Sequence, residues 1–157
     1  MTIYYLDSSA VVKRYVAESG SEAIRAICAD AENALFLSEL TLVEVSSAFA
    51  RRAKGGGISD AERQSYLELF IGDCARDYAL IPADRRAIDR AVNLAQAHAL
   101  RGYDALQLGC ALVASDLLTA SGVDPIQFVS ADDDLLVAAA AEGLDVAVPN
   151  ALRPLLG

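Results

Sequence analysis

The chain has 157 residues, and its 13 basic and 22 acidic side chains give a formal net charge of −9 at pH 7. This length predicts one domain over residues 1–157 with a sizeable core, and the acidic balance argues against a general nucleic-acid binder, which normally carries a basic excess. No apolar run approaches the ~18 residues of a membrane span and the N-terminus shows no signal-peptide pattern, so we expect a cytoplasmic protein without a membrane partner.

The first predicted strand covers residues 3–6, where apolar, β-favouring residues follow one another without alternation. Such a run is typical of a strand buried on both faces in the middle of a parallel sheet. Asp7 follows at the point where this strand passes into a predicted helix over residues 10–17. Ligands of open α/β sheets bind at the carboxyl ends of the strands, which makes Asp7 a candidate site residue. A plain helix N-cap explains the same residue.

The rest of the chain alternates predicted helices with short apolar runs. Helices are expected over residues 23–30 and 41–53, with a strand over 35–37 between them and glycines 55–57 as the stop signal. A capping box at Ser59 and Glu62 starts a helix to about residue 76. A strand over 79–82 and a helix from Asp84 to about residue 99 follow.

The C-terminal part begins with the most apolar helix, which Gly102, Tyr103 and Asp104 open and which covers about residues 105–118. It is hydrophobic nearly all round and is therefore expected to be buried. A strand over 126–129, a helix to residue 141 and a strand over 146–148 come before a tail over 149–157. This alternation predicts an α/β fold: a three-layer α/β/α domain with a mostly parallel central sheet of about five strands.

Four acidic residues lie at comparable junctions: Asp7, Glu44, Asp104 and Asp132. Parallel strands would bring them to one crevice, where bare carboxylates at ~4 Å repel by about 4 kcal/mol per pair at an effective dielectric near 20. Such a cluster needs partial protonation or a cation, and an all-oxygen ligand set selects Mg²⁺ or Mn²⁺ over zinc. Each acid also has a plain structural explanation: Glu44 in a capping box with Thr41, Asp104 at the positive end of a helix dipole, and Asp132 as an N-cap.

Other chemistries have less support. His98 is the only histidine, and it falls within a predicted helix where a surface or packing role is expected, so a Ser-His-Asp triad is not indicated. The sequence contains no GxGxxG and no Walker A motif, which argues against nucleotide-cofactor chemistry. The 3 cysteines are far apart and form no CxxC pair, and we expect them to be reduced core thiols.

Four segments of the sequence resemble the four signature segments of the PIN domain, in the order of that family and over nearly the whole chain. They are LDSSA (residues 6–10), SELTLVE (38–44), LRGYDAL (100–106) and VSAD (129–132). More narrowly, they look like the VapC-type toxins of VapBC toxin–antitoxin pairs. Each segment is a weak signal alone, whereas the ordered set is fairly specific.

The resemblance implies a PIN-like domain that acts as a Mg²⁺- or Mn²⁺-dependent endoribonuclease, with Asp7, Glu44, Asp104 and Asp132 as the catalytic acids. Asp7 and Asp104 would bind the metal, and Glu44 and Asp132 would complete its shell or orient the attacking water. Asp134 is an alternative for the fourth position. Ser8 and Ser130 match hydroxyl positions that steady the acids.

The partners implied by the resemblance are an RNA substrate, a small VapB-like antitoxin and a second copy of the chain in a homodimer. The predicted helix over 59–76 also has apolar residues over a wider surface than one helix face. Either a dimer interface or a core-facing helix would explain them.

Two other functions are kept as alternatives. One is a haloacid-dehalogenase-like, Mg²⁺-dependent phosphatase with Asp7 as the nucleophile, but that family has a second Asp two residues later and Ser9 stands there. The other is a non-catalytic PIN-fold interaction module, against which the complete acidic set speaks.

Overall fold

The structure, a computed structural model, describes residues 1–152 and contains a five-stranded sheet in the order β3-β2-β1-β4-β5. Its strands are β1 (Ile3–Leu6), β2 (Ala34–Ser38), β3 (Tyr78–Ile81), β4 (Gln127–Val129) and β5 (Asp145–Ala147). Every pairing is parallel, and Tyr5 of β1 aligns with Phe36 on one side and with Phe128 on the other. The central position predicted for β1 is confirmed, and the carboxyl ends of all five strands share one edge.

Seven α-helices connect the strands: α1 (Ser8–Tyr15), α2 (Ser21–Ala29), α3 (Leu40–Lys54), α4 (Asp60–Arg76), α5 (Arg85–His98), α6 (Gly102–Ala120) and α7 (Asp133–Ala141). The predicted capping box of α4 is present, with both hydrogen bonds between Ser59 and Glu62. α1 begins two residues earlier than predicted because Asp7 is its N-cap. Of the predicted tail, residues 149–151 form a 3₁₀ turn, and residues 153–157 lie outside the described residues.

The helices cover the two faces of the sheet separately. Side chains of α1 to α4 pack with Leu6, Leu37 and Val129 on one face. Side chains of α5, α6 and α7 pack with Tyr5 and Phe128 on the other, where these two rings stack with their centroids 5.5 Å apart. The three-layer α/β/α architecture predicted from the sequence is therefore confirmed.

The packing of α6 against α5 brings Asp104 to the carboxyl edge of the sheet. A glycine allows these two helices to pack closely. A Cβ atom on Gly109 of α6 would lie 2.8 Å from the backbone oxygen of Ala87 on α5. Residues 105–114 of α6 are mostly apolar and mostly buried, as the sequence predicts, whereas the C-terminal end is not, with Leu117 53% exposed. The N-terminal turn of this helix, with Tyr103 and Asp104, is thereby held at a fixed position relative to α5.

Other expectations can be compared with the structure at individual side chains. Cys74 and Cys110 are buried, Cys28 is half-buried, and all three are free thiols, as expected. On α4, Phe70 is buried in the core, whereas Leu69 and Ile71 are 54% and 48% exposed. None of the helices within residues 1–152 combines the length and apolar character that a bilayer crossing needs.

Candidate active site

Asp7 connects β1, α1 and the end of β4. Its Oδ1 accepts hydrogen bonds from the backbone N–H of Ala10 (2.9 Å) and from Ser9 Oγ (2.6 Å), and its Oδ2 accepts one from Ser130 Oγ (2.5 Å). The residue is 4% exposed, and burial raises the pKa of its carboxyl to about 6 although the three donors act in the opposite direction. Asp7 is thus the N-cap of α1 and also a buried acid facing a neighbouring strand.

Glu44 lies in the second turn of α3, and side chains from two other helices hold its carboxylate. Oε1 accepts a hydrogen bond from Gln107 Nε2 (2.7 Å) on α6, and Oε2 accepts one from Ser8 Oγ (3.2 Å) on α1. Burial raises the pKa of Glu44, and the charge of Asp104 adds to this rise, while Arg51 opposes it. The expected hydroxyl partners are therefore found: Ser130 for Asp7 and Ser8 for Glu44.

The capping-box explanation of Glu44 is wrong. α3 begins at Leu40 with Glu39 as its N-cap residue, so Thr41 is inside the helix. The Thr41 hydroxyl is buried and accepts a hydrogen bond from Gln107 Nε2 (2.9 Å) instead of from the first turn of α3. The side chain of Glu44 points away from the helix start toward α1 and α6.

Asp104 and Asp132 line a cavity of about 550 Å³ together with Asp134. Asp104 is the third residue of α6, and Asp132 is the N-cap of α7, where Oδ1 accepts from the N–H of Leu135 (3.1 Å). Burial raises the pKa of Asp104, and repulsion by Asp132 raises it further. Asp134 is exposed on the same rim, so both acids considered for the fourth position border this cavity.

The four acids interact in sequence, each with the next. The charge of Glu44 raises the pKa of Asp7, the charge of Asp104 raises the pKa of Glu44, and the charge of Asp132 raises the pKa of Asp104. The carboxylates of Asp7 and Glu44 accept hydrogen bonds from hydroxyl and amide groups. Within residues 1–152, no three His, Cys, Asp or Glu side chains lie close enough together to hold one metal ion. The donor set nevertheless consists of carboxylate and hydroxyl oxygens, the ligands of hard divalent ions. Its chemistry fits Mg²⁺ or Mn²⁺, since a cation would favour the charged forms that burial disfavours.

The structure adds two residues to the site that the sequence reasoning missed. Gln107 is 1% exposed and connects Glu44 to Thr41 and to the hydroxyl of Tyr5 (2.8 Å). Its signal in the sequence is a single amide in an apolar helix, one turn after Asp104. Ser9 donates to Asp7, and its Oγ also accepts from the backbone N–H of Ala131 (2.9 Å).

Ser9 also bears on the phosphatase alternative. The position where that family has a second Asp is occupied here by a hydroxyl that donates to Asp7. A neutral donor of this kind fixes Asp7 and cannot act as a second carboxylate. His98, for which a surface or packing role was expected, is the last residue of α5, is half-buried, and has Nε2 2.7 Å from Glu142 Oε1.

Comparisons with known proteins agree with this geometry. The family model of the PIN domain matches residues 4–141. Ribonuclease VapC45 of Mycobacterium tuberculosis is 33% identical over 123 residues, which cover 74% of this chain and 79% of that protein.

Solved structures show the same fold. VapC20 of M. tuberculosis, described as a Sarcin-Ricin loop cleaving toxin, superposes with a TM-score of 0.61 at 12% identity over 91% of this chain and 96% of that chain. A toxin–antitoxin complex from Klebsiella pneumoniae matches with a TM-score of 0.56 at 17% identity over 93% of this chain and 97% of that chain. The family prediction is therefore confirmed, and the chain belongs to the PIN-domain family and, within it, to the VapC group.

Proposed function

We propose that the chain is an endoribonuclease that hydrolyses phosphodiester bonds of RNA in a reaction dependent on Mg²⁺ or Mn²⁺. The observation that carries the proposal is the line of interacting acids at the carboxyl edge of the sheet, in which burial raises the pKa of Asp7, Glu44 and Asp104. Acids perturbed by burial and by neighbouring charges concentrate at functional sites. The name of the relative at 33% identity, a ribonuclease, supports the same reaction.

The residues have distinct tasks in this proposal. Asp7 and Asp104 would hold the metal ion, which, when bound, lowers the pKa of water and neutralises charge at phosphorus. Ser9 and Ser130 fix the two oxygens of Asp7. Glu44 is oriented by hydrogen bonds on both of its oxygens, and the rise in its pKa that burial causes makes it a stronger proton acceptor than an exposed carboxylate.

Asp132 lines the same cavity as Asp104. Its N-cap hydrogen bond uses Oδ1, and its charge is felt by Asp104. We assign it to completing the metal shell or orienting water, with Asp134 on the same rim as the alternative.

Cleavage of a short single-stranded RNA carrying a fluorophore and a quencher tests the reaction. We expect cleavage with Mg²⁺ or Mn²⁺, none with EDTA, and none by Asp7→Asn with either ion. Asp145→Asn is the matched control, because Asp145 is an exposed acid at the amino end of β5, on the opposite edge of the sheet. An Asp7→Asn protein as active as the parent would disprove the assignment, and a parent inactive with every metal would favour the non-catalytic interaction module.

We also propose that the chain is the toxin of a type II pair, is held inactive in the cytoplasm by a small VapB-like antitoxin, and works as a homodimer. The fold it shares with a chain of a toxin–antitoxin complex supports the antitoxin. The exposed Leu69 and Ile71 on α4 offer apolar surface of the kind that interfaces bury. Light scattering at micromolar concentration should give the mass of a dimer, and a monomer would contradict this part.

A further inference from the structure

Two cavities flank the carboxylates, and their linings differ in charge. The cavity beside Asp104 and Asp132 is acidic on balance, because these two residues and Asp134 outnumber Arg101, the one arginine of its described lining. The second cavity, of about 480 Å³, has Glu44 as its one acidic lining residue within the described part of the chain, against two arginines. We call this second cavity the Arg51 cleft; its polar lining residues are Ser8, Ser9, Glu44, Ser47, Arg51, Arg52 and Tyr103.

Of the two arginines in this cleft, Arg51 is the one whose charge is available to a ligand. It follows Glu44 by two turns of α3, about 10 Å along the helix axis at 1.5 Å per residue, and its charge acts on the Glu44 carboxylate. Its neighbour Arg52 is engaged, with one guanidinium nitrogen 3.2 Å from Glu18 Oε2. Arg51 is exposed and makes no ion pair with any residue in the range 1–152.

Tyr103 places an aromatic ring at the same cleft. The residue immediately precedes Asp104 in the first turn of α6 and is 62% exposed. An exposed ring beside a catalytic acid and a free guanidinium group is the combination that binds single-stranded RNA, in which an unpaired base stacks on the ring and a cation meets the phosphate.

We propose that the Arg51 cleft binds one unpaired nucleotide next to the scissile phosphate of RNA, with its base stacked on Tyr103 and its phosphate paired with Arg51. This inference rests on the proposed ribonuclease function and adds the side of the site on which the neighbouring nucleotide lies. Because acids outnumber arginines in the lining of the other cavity, we place this nucleotide on the α3 side of the carboxylates. The cleft also explains how a chain with a net charge of −9 binds a polyanion. Paired bases cannot stack on Tyr103, so the cleft selects single-stranded RNA.

Steady-state cleavage of the single-stranded reporter with Mg²⁺ tests the cleft. Tyr103→Leu should raise KM by roughly 5- to 150-fold, the effect of losing one stacked base, and Tyr103→Phe should restore the parent value. Arg51→Gln should raise KM and reduce the slope of log KM against log salt by about one, as for a single phosphate contact. In Tyr103→Leu kcat should change little, because uniform binding is lost. Arg86→Gln, which removes an exposed arginine from the start of α5, should leave KM and the salt slope unchanged.

The outcomes separate this inference from the proposed function. A parent that cleaves RNA while Arg51→Gln and Tyr103→Leu keep its KM and salt slope overturns the cleft alone. A parent that cleaves no RNA with any divalent metal overturns both. Variants that keep the parent KM but lose self-association in light scattering would assign these residues to a protein interface and would also overturn the cleft.

Discussion

Gln107 Nε2 lies 2.7 Å from Glu44 Oε1 and 2.9 Å from Thr41 Oγ1, so a single buried amide of α6 fixes the side chain of an acid on α3. The carbonyl oxygen of the same amide accepts from the hydroxyl of Tyr5 on β1 (2.8 Å). The three elements that meet at the site are therefore joined through one side chain. Among described buried side-chain nitrogen and oxygen atoms, none lacks a partner, which shows how fully this network is satisfied.

We predict that Gln107→Leu destabilises the protein and lowers its activity. The replacement leaves the buried groups of Tyr5, Thr41 and Glu44 without their partner, and an unsatisfied buried polar group costs about 1–3 kcal/mol. Urea denaturation should show a loss of at least this size, and the kcat of RNA cleavage should fall because Glu44 is no longer oriented. Gln96→Leu on the exposed face of α5 is the matched control and should change neither quantity. Unchanged stability in Gln107→Leu would mean that the amide is not required.

The Gln107 network also marks where prediction from sequence reaches its limit. The buried run of β1 and the strand–helix junctions are local signals, and they placed Asp7, Glu44, Asp104 and Asp132 at the same edge of a parallel sheet. The partners that orient these acids are 63 residues apart for Gln107 and Glu44 and 123 residues apart for Ser130 and Asp7. No local pattern encodes such a pairing: Ser130 was expected only through the resemblance to the PIN domain, and Gln107 was not expected at all.

Element boundaries show the same limit on a smaller scale. The predicted capping box of α4 was correct because all of its groups lie within four residues of the chain. The proposed capping box of Thr41 and Glu44 has the same spacing but does not form, because Gln107 and Ser8 offer these two side chains tertiary partners. Two local patterns of the same quality therefore have different outcomes, because tertiary hydrogen bonds compete with one of them.

A second prediction concerns pH and Asp7. The pKa of this carboxyl is about 6 in the folded protein and near 3.8 in the unfolded chain. Between these values the folded state binds more protons, so stability decreases as pH rises through this window. A rise of about two pKa units corresponds to about 3 kcal/mol. In EDTA, the free energy of unfolding of Asp7→Asn relative to the parent should therefore increase by up to about 3 kcal/mol between pH 4 and pH 7.

Ser130→Ala should change the pH dependence of stability in the opposite direction to Asp7→Asn. The Ser130 hydroxyl favours the charged form of Asp7 and lowers its pKa. Without this donor the pKa should rise further, and the loss of stability between pH 4 and pH 7 should be larger than in the parent. Parallel stability–pH curves for the parent, Asp7→Asn and Ser130→Ala would show that burial of Asp7 has no such effect.

A third prediction concerns the α5–α6 contact that positions Asp104. Gly→Ala inside a helix normally stabilises by roughly 0.5–1 kcal/mol, but the new Cβ of Gly109→Ala would lie 2.8 Å from the Ala87 backbone oxygen. Overpacking against backbone costs typically 1–3 kcal/mol, so thermal denaturation should show a net destabilisation. Gly72→Ala in α4 is the matched control, since its Cβ meets only the flexible end of Arg76 at 3.2 Å and should be neutral or stabilising. A Gly109→Ala protein as stable as Gly72→Ala would indicate that the two helices can separate without cost.

The last prediction concerns Asp104, whose burial and repulsion by Asp132 both disfavour its charged form. Asp104→Asn should therefore raise the melting temperature of the protein in EDTA, because it removes one charge from the line of acids. Mg²⁺ should stabilise the parent by RT ln(1 + [L]/Kd), about 2.7 kcal/mol at a hundredfold excess over Kd, and should stabilise the variant much less. If Asp104 only complements the helix dipole, its loss costs about 0.3–1 kcal/mol instead. Melting curves of both proteins in EDTA and in Mg²⁺ separate the two: a variant that melts below the parent in EDTA, with equal shifts in Mg²⁺, rules out a metal site at Asp104.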